Sequence, residues 1–270
     1  MNSKSLFLIP ILLISISIQS QTLNSDSQQF THQDTLRGSI TPERAWWDLN
    51  YYHLDISVHP ETKSIKGKNT IRYSILEPNQ TLQIDLQSPM KLTKAIQDGE
   101  ELTITKDGNA HFISLKKPQT KIGESEEIEV YYEGQPRIAV RAPWDGGFSW
   151  KKDNNGNHFI ATSCQGLGAS VWWPCKDHMY DEVDSMLISV TNPKGLMNVS
   201  NGRLRSLEDN DNNTVTSNWF VNNPINNYGV NVNIADYVNF SEVYTGEKGD
   251  LDMDYWVLSD HLEKAKKHLK

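Results

Sequence analysis

The residues best equipped for chemistry crowd into one stretch, "TSCQGLGASVWWPCKDHMYDE", Thr162 to Glu182. It holds the chain's only two cysteines, Cys164 and Cys175, together with Ser163, Ser170, Asp177 and His178. A zinc site needs Cys, His or carboxylate ligands at helical or tight-loop spacing. C-x10-C-x2-H supplies three candidates, lacks a fourth and matches no established zinc spacing. A serine nucleophile needs a base in reach. Ser170, His178 and Asp177 are the right types, yet "GLGAS" ends on its serine where a G-x-S-x-G elbow would centre it. The carboxylates of "KDHMYDEVD" read as solvated unless a cleft gathers them. Gly166 and Gly168 suit a sharp bend but lack phosphate-cradle spacing. An oxidising compartment would let the two thiols pair, and spacing alone leaves that open. A second cluster, "HLEKAKKH", offers His261, Glu263 and His268. On a helix the first two face different ways, so this reads as a solvated face. No H-E-x-x-H occurs anywhere in the sequence.

The elements that must position this stretch are strands. Tyr52, Leu54, Ile56 and Val58 alternate with polar neighbours. After the turn "HPETKS", Ile65, Gly67, Asn69, Ile71, Tyr73 and Ile75 keep the parity, which predicts a hairpin with one buried face. "TLQIDL", "ELTIT", "HFISL" and "EEIEVYYEG" add strands, and the Asp-Gly of "KDGNA" is a hairpin turn signal. "SMLISVTNP", "TVTSNWFV", "YGVNVNIADYV" and "LDMDYWVL" continue the series, with "EDNDNN" as a turn. Short strands with regular turn punctuation predict an all-β domain, an antiparallel β-sandwich or a barrel-like β domain. The end differs: in "SDHLEKAKKHLK", Asp260 and Glu263 resemble a capping box, with Leu262, Ala265 and Leu269 at helical spacing. The chain stops inside this short helix start, so the expectation is that these residues are the front of a larger design.

At the other end, "MNSKSLFLIPILLISISIQSQT" has one lysine, an apolar run from Leu6 to Ile18 and then small or polar residues. That is the layout of a secretory signal peptide over residues 1–20, which implies a periplasmic or extracellular location. Its apolar run is shorter than the roughly 20 residues of a membrane span. Residues 21–40, rich in Ser, Gln, Asp and Thr, predict a disordered linker. Among 270 residues with a net charge of −8, no Lys/Arg stripe interleaves with aromatics, so nucleic acid is not an expected partner. Eight tryptophans and ten tyrosines supply bulky core and site material.

Several segments, in order, resemble the N-terminal β domain of the M1 family of zinc aminopeptidases, the gluzincins. They are "YYHLDISVHPETKSIKGKNTIRYSI", "APWDGGFSW", "TSCQGLGASVWWPCKDH", "DSMLISVTNPKGLMNVSNGRL" and "DYWVLSDHLEKAKKH", and they span about Trp46 to Asp260. The resemblance implies a twisted, saddle-like antiparallel structure over residues 41–258, with 259–270 beginning a catalytic domain that would carry zinc. It implies that the β domain lends one Gln or Glu to anchor a peptide's free amine, and the matching position is Gln165. Asp177, in the matching Pro-Cys-x-Asp core, is then expected to brace the loop, with Gly166 and Gly168 as loop support. Relatives often carry proline where Val183 stands, which implies a looser turn here. No catalytic residue and no metal is expected on this chain, because the zinc motif is missing from it. The partners implied are a peptide N-terminus, if joined to a catalytic domain, and an apolar docking surface for that domain. The rival expectation is a standalone secreted β-sandwich that binds or scaffolds.

Overall fold

The computed structural model describes residues 29–269, so the predicted leader lies outside the described residues. Two short helices come first, α1 (His32–Gly38) and α2 (Pro42–Ala45). The strands that follow are β1 (Trp47–His59), β2 (Ser64–Ile75), β3 (Asn79–Asp85), β4 (Lys91–Gln97), β5 (Glu100–Glu101), β6 (Thr103–Asp107), β7 (Ala110–Gln119) and β8 (Ser125–Gly134). Next are β9 (Gly147–Lys152), β10 (His158–Ser163), β11 (Ser185–Pro193), β12 (Met197–Ser200), β13 (Arg203–Asn210) and β14 (Thr214–Val221). The series closes with β15 (Val232–Ala235), β16 (Tyr237–Gly246), β17 (Gly249–Leu258) and a helix, α3 (Leu262–His268).

The fold is all-β. An eight-stranded sheet runs in the order β13-β14-β11-β1-β2-β8-β4-β5. A four-stranded sheet (β12-β15-β10-β9), a three-stranded sheet (β3-β7-β6) and the ribbon β16-β17 accompany it. The hairpin read from parity forms in that register: Val58 faces Ile65, Leu54 faces Asn69 and Tyr52 faces Ile71 across β1 and β2. Strand side chains alternate between faces, so these residues share the buried side. The Asp-Gly signal also lands, with Asp107 paired to Ala110 and Gly108 at φ +59°. One pairing departs from the antiparallel expectation. β1 and β11 run parallel, with Leu54 opposite Ile188. A parallel partner cannot be reached by a tight turn, and the long excursion between them carries β9, β10 and the chemistry-rich stretch.

The core is contiguous and aromatic. Trp46 and Trp47 each meet Tyr73 edge-on at 5.6 Å between ring centroids. Tyr52 meets Trp173 at 5.3 Å, and Phe148 meets Trp172 at 5.8 Å. Edge-to-face pairs of this kind contribute roughly 0.5–1.5 kcal/mol each beyond burial. The tryptophans of the stretch therefore anchor it to both larger sheets.

Two terminal expectations need correction. Of residues 21–40, read as a disordered linker, 21–28 lie outside the described residues, and the rest carries α1, which buries none of its own residues. It is held instead by a capping box, in which Thr31 Oγ1 accepts from Asp34 N and Asp34 Oδ2 accepts from Thr31 N at 2.8 Å. Polar bonds from the body add to this, which is why composition alone misses it. At the other end the expected Asp260–Glu263 box does not form. A 3-10 turn, Ser259–His261, precedes α3, whose N-cap is His261 without a side-chain cap.

Candidate functional site

β10 ends at Ser163 and the chain turns at once. Leu167 N donates to Cys164 O at 3.1 Å, and Gly166, third in the turn, has φ +74°. That is a type II turn, whose third position needs a residue free of Cβ strain. Gln165 takes the second position, at the apex. Its side chain is exposed on the rim of a hollow of about 370 Å³, which it lines with Pro143, Cys164, Gly166, Gly168 and Tyr228. A carboxamide at such a place has an oxygen and two N–H groups to offer a ligand.

Asp177 fixes the other half of the loop. It accepts from Ala169 N at 3.3 Å, Ser170 N at 3.0 Å and Ser170 Oγ at 2.6 Å. Gly168 lies against this carboxylate so closely that a Cβ there would sit 2.5 Å from Asp177 Oδ2. The ends are stitched to β3: Asp85 and Cys175 exchange backbone hydrogen bonds at 2.9 and 3.2 Å, and Gln87 N donates to Ser170 O at 2.8 Å.

Beneath the loop lie two buried ion pairs that sequence reading missed. Arg44 is fully buried and donates to Asp85 Oδ2 at 2.6 Å, and to the carbonyls of Leu36, Arg37 and Ser39 at 2.9, 3.2 and 2.8 Å. Asp85 Oδ2 also accepts from Asp177 N at 3.2 Å. Burial pushes the Asp85 carboxyl up, while Arg44 pulls it back down. Lys176, also fully buried, donates to Trp47 O at 2.6 Å and Asp181 Oδ2 at 2.5 Å, with its ammonium 3.9 Å from the Trp47 ring centroid. Burial draws this ammonium down to about 8. The signal available in sequence was only the types; Asp85, the acidic partner of Arg44, lies 41 residues away.

The rival chemistries fare differently. Ser170 donates straight to Asp177, while His178 Nε2 meets Gly38 O at 3.2 Å, so the three residues do not line up as nucleophile, base and orienter. Cys164 and Cys175 are free thiols. Burial pushes Cys164 up to about 11 and raises Cys175 as well, which suppresses the reactive thiolate. Val183, where a loose turn was implied, is buried and bridges Ile225. Among the described residues no group of three or more His, Cys, Asp or Glu side chains is placed to hold a metal ion.

Several large apolar side chains are exposed; of them Tyr228 lines the hollow of Gln165, and Met179 and Phe30 line a cavity that shares Gly168 and Tyr228 with it. Trp144 and Val140 are each 78% exposed, Met179 is 88% exposed, and Tyr228 and Phe30 are also open to solvent. Isolated exposed apolar residues are ordinary on a protein surface.

The family model described as the peptidase M1 N-terminal domain matches residues 49–228. Among solved structures, an M1 zinc metallopeptidase from Deinococcus radiodurans superimposes with a TM-score of 0.66 at 17% identity, over 80% of this chain and 48% of that one. A mutant of an M1 zinc metallopeptidase from the same organism, bound to a Tyr-Ser-Ala substrate, gives 0.67 at 16%, over 80% and 49%. A two-domain M1 zinc metallopeptidase mutant bound to L-arginine gives 0.66 at 17%, over 80% and 48%. At such identity the likeness is one of fold, and the chain spans about half the length of these structures. No curated protein matches the sequence significantly.

Proposed function

The chain belongs to the peptidase M1 N-terminal domain family, and from that premise we propose that it is the amine-anchoring part of an exported metalloaminopeptidase. In this reading Gln165 Oε1 accepts a hydrogen bond from the ammonium of a peptide whose first residue is to be released. A charge-assisted bond of this kind contributes roughly 1.5–3 kcal/mol. The observation that carries the reading is the placement of Gln165. Its exposed side chain sits at a turn apex, on a loop braced by Asp177, at a hollow it shares with Pro143 and Tyr228.

Zinc is implied by the names of the similar structures, and the described residues of this chain do not make a zinc site. Bound zinc would supply a Lewis acid and an activated water for peptide hydrolysis. The residues present here supply binding and orientation. In this reading the zinc ligands belong to a second domain, and exposed apolar side chains such as Tyr228 and Met179 belong to the surface on which that domain rests. Export rests on the predicted leader alone, and cell fractionation with an antibody to this chain tests it.

The amine role is tested by NMR titration of the 270-residue chain with leucinamide and with its N-acetyl form. The free amine should shift the Gln165 carboxamide signals, and the acetylated form should not. Gln165→Ala should abolish the free-amine response at Gly166 and Gly168. Equal responses to the two probes would overturn the reading. The same chain supplied with zinc should release no amine from amino-acid amides; metal-dependent turnover would overturn the assignment of zinc to another domain.

A further inference from the structure

The buried pair of Arg44 and Asp85 lies where three segments distant in sequence meet. Arg44 Nη1 donates to the carbonyls of Leu36, Arg37 and Ser39, at the end of α1, and Nη2 donates to Asp85 Oδ2. The other oxygen of Asp85 accepts from Gln83 Nε2 at 2.9 Å, and the same amide reaches Leu36 O at 3.1 Å. Gln83 Oε1 accepts from Thr41 Oγ1 at 2.6 Å. All four side chains, Thr41, Arg44, Gln83 and Asp85, are buried. A buried ion pair seldom stabilises a fold more than apolar residues of the same size, because desolvation offsets the attraction. What such a pair does that apolar residues do not is hold polar backbone at set directions and distances.

Two routes lead from Arg44 to the turn of Gln165. Along the first, Asp85 Oδ2 accepts from Asp177 N at 3.2 Å, and Asp177 accepts from the amides of Ala169 and Ser170. Along the second, Arg44 holds the carbonyl of Arg37, and the exposed side chain of Arg37 reaches Gly166 O at 3.5 Å, one residue from Gln165. α1 buries none of its own residues, so polar bonds of this kind set its place. A cavity of about 170 Å³ lies between α1 and the loop. Asp34 and Arg37 line it from α1, Ser170 and Asp177 line it from the loop, and Asp85 stands between. The two halves are therefore joined around this gap by hydrogen bonds that meet at one buried cation.

We propose that Arg44 is a positioning residue for the Gln165 turn, acting through Asp85 and Asp177 on one side and through α1 and Arg37 on the other. The proposal rests on the amine-anchoring reading of Gln165 and adds to it the means by which that side chain is aimed. A hydrogen bond to an ammonium weakens steeply once its direction is lost, so a turn free to tilt would bind an amine less well even in a folded chain.

The test separates aim from stability in the 270-residue chain. Arg44→Met/Asp85→Asn leaves no unpaired charge in the core, so its urea midpoint should recover most of what Arg44→Met alone loses. The grip on α1 is still gone. NMR order parameters of the Gln165 and Gly166 amides should therefore fall from about 0.85 to below about 0.6 in the double variant. Glycinamide, titrated as the probe, should bind about tenfold more weakly, the loss of most of one charge-assisted hydrogen bond. Order parameters that stay at the unsubstituted value refute the positioning role, and so does a loosened turn that binds glycinamide as before. Should the double variant fail to fold, Arg37→Ala changes only an exposed side chain and carries the same test at Gly166, where an unchanged order parameter refutes the route through α1. If glycinamide binding ignores Gln165→Ala, the amine anchor falls, and the order parameters still decide whether Arg44 holds the turn.

Discussion

Replacing Gly168 by alanine should damage the site loop far more than the same change at Gly166, two residues earlier. Both glycines have positive φ, +81° and +74°. At Gly166 an added Cβ meets nothing within 4 Å, so the cost is backbone strain alone, about 1 kcal/mol. At Gly168 φ is +81° and ψ 174°, a region that is nearly glycine-only and costs about 1–3 kcal/mol for other residues. Its Cβ would also sit 2.5 Å from Asp177 Oδ2, the atom that accepts from Ser170 N and Ser170 Oγ. That oxygen must retreat by nearly an ångström, and weakening charge-assisted bonds adds about 1.5–3 kcal/mol. The sum is about 4 kcal/mol. With a urea slope near 3 kcal/mol/M, the midpoint should fall by about 1.3 M for Gly168→Ala and by about 0.3 M for Gly166→Ala. In an Asp177→Ala background the clash is gone, so Gly168→Ala should cost only its strain, about 2 kcal/mol less than before. Equal midpoint shifts for the two glycine variants, or no coupling to Asp177, would refute the picture of a loop braced by that carboxylate.

Other outcomes follow from the buried charges and thiols. Arg44→Met leaves Asp85 buried without its cation and should cost about 3–5 kcal/mol in urea unfolding; hydrogen exchange should show α1 losing protection first. His111 is buried, with Nδ1 lacking a partner, and burial pulls its pKa down to about 4. The unfolded chain takes up that proton from about pH 6.5 downward and the folded one only near 4, so stability should be full above pH 6.5 and fall as pH drops through this window. Allowing for partial hydration of the ring, His111→Gln should shrink the loss between pH 7 and 4 by about 2 kcal/mol, measured from urea curves at both pH values. Cys164 and Cys175 should both resist a thiol-reactive dye in the folded chain and react together in urea; rapid labelling of the folded protein would contradict their burial.

What could be read in the sequence depended on whether a residue's environment repeats at a fixed interval. From Tyr52 to Ile75 one face is buried and the other is not, so period two is visible and even the register follows. β11 ends at Pro193, where a strand reading would stop it. β9 escaped notice for a physical reason. Gly147, Phe148 and Ser149 are buried in succession, so alternation is lost. α1 has no apolar face at all and is stabilised by its cap and by Arg44; only Thr31 and Asp34, three apart, could have signalled it. Within the site, Gln165 and the Asp177 loop were reached through the resemblance, because local residue types gave no reason to prefer one glutamine. Arg44 and Lys176 were invisible for the opposite reason. A charged residue reads as surface until its partner is brought to it by the fold, as Asp85 is to Arg44 and Asp181 to Lys176.

The central claim is that Gln165 receives a peptide's terminal amine. A crystal structure of this chain with a short peptide bearing a free N-terminus tests it most directly. The expected result is the peptide nitrogen about 3 Å from Gln165 Oε1, with the chain leading away over Gly166. A peptide bound elsewhere, or one that meets this corner through its carboxylate while Gln165 turns aside, would contradict the account.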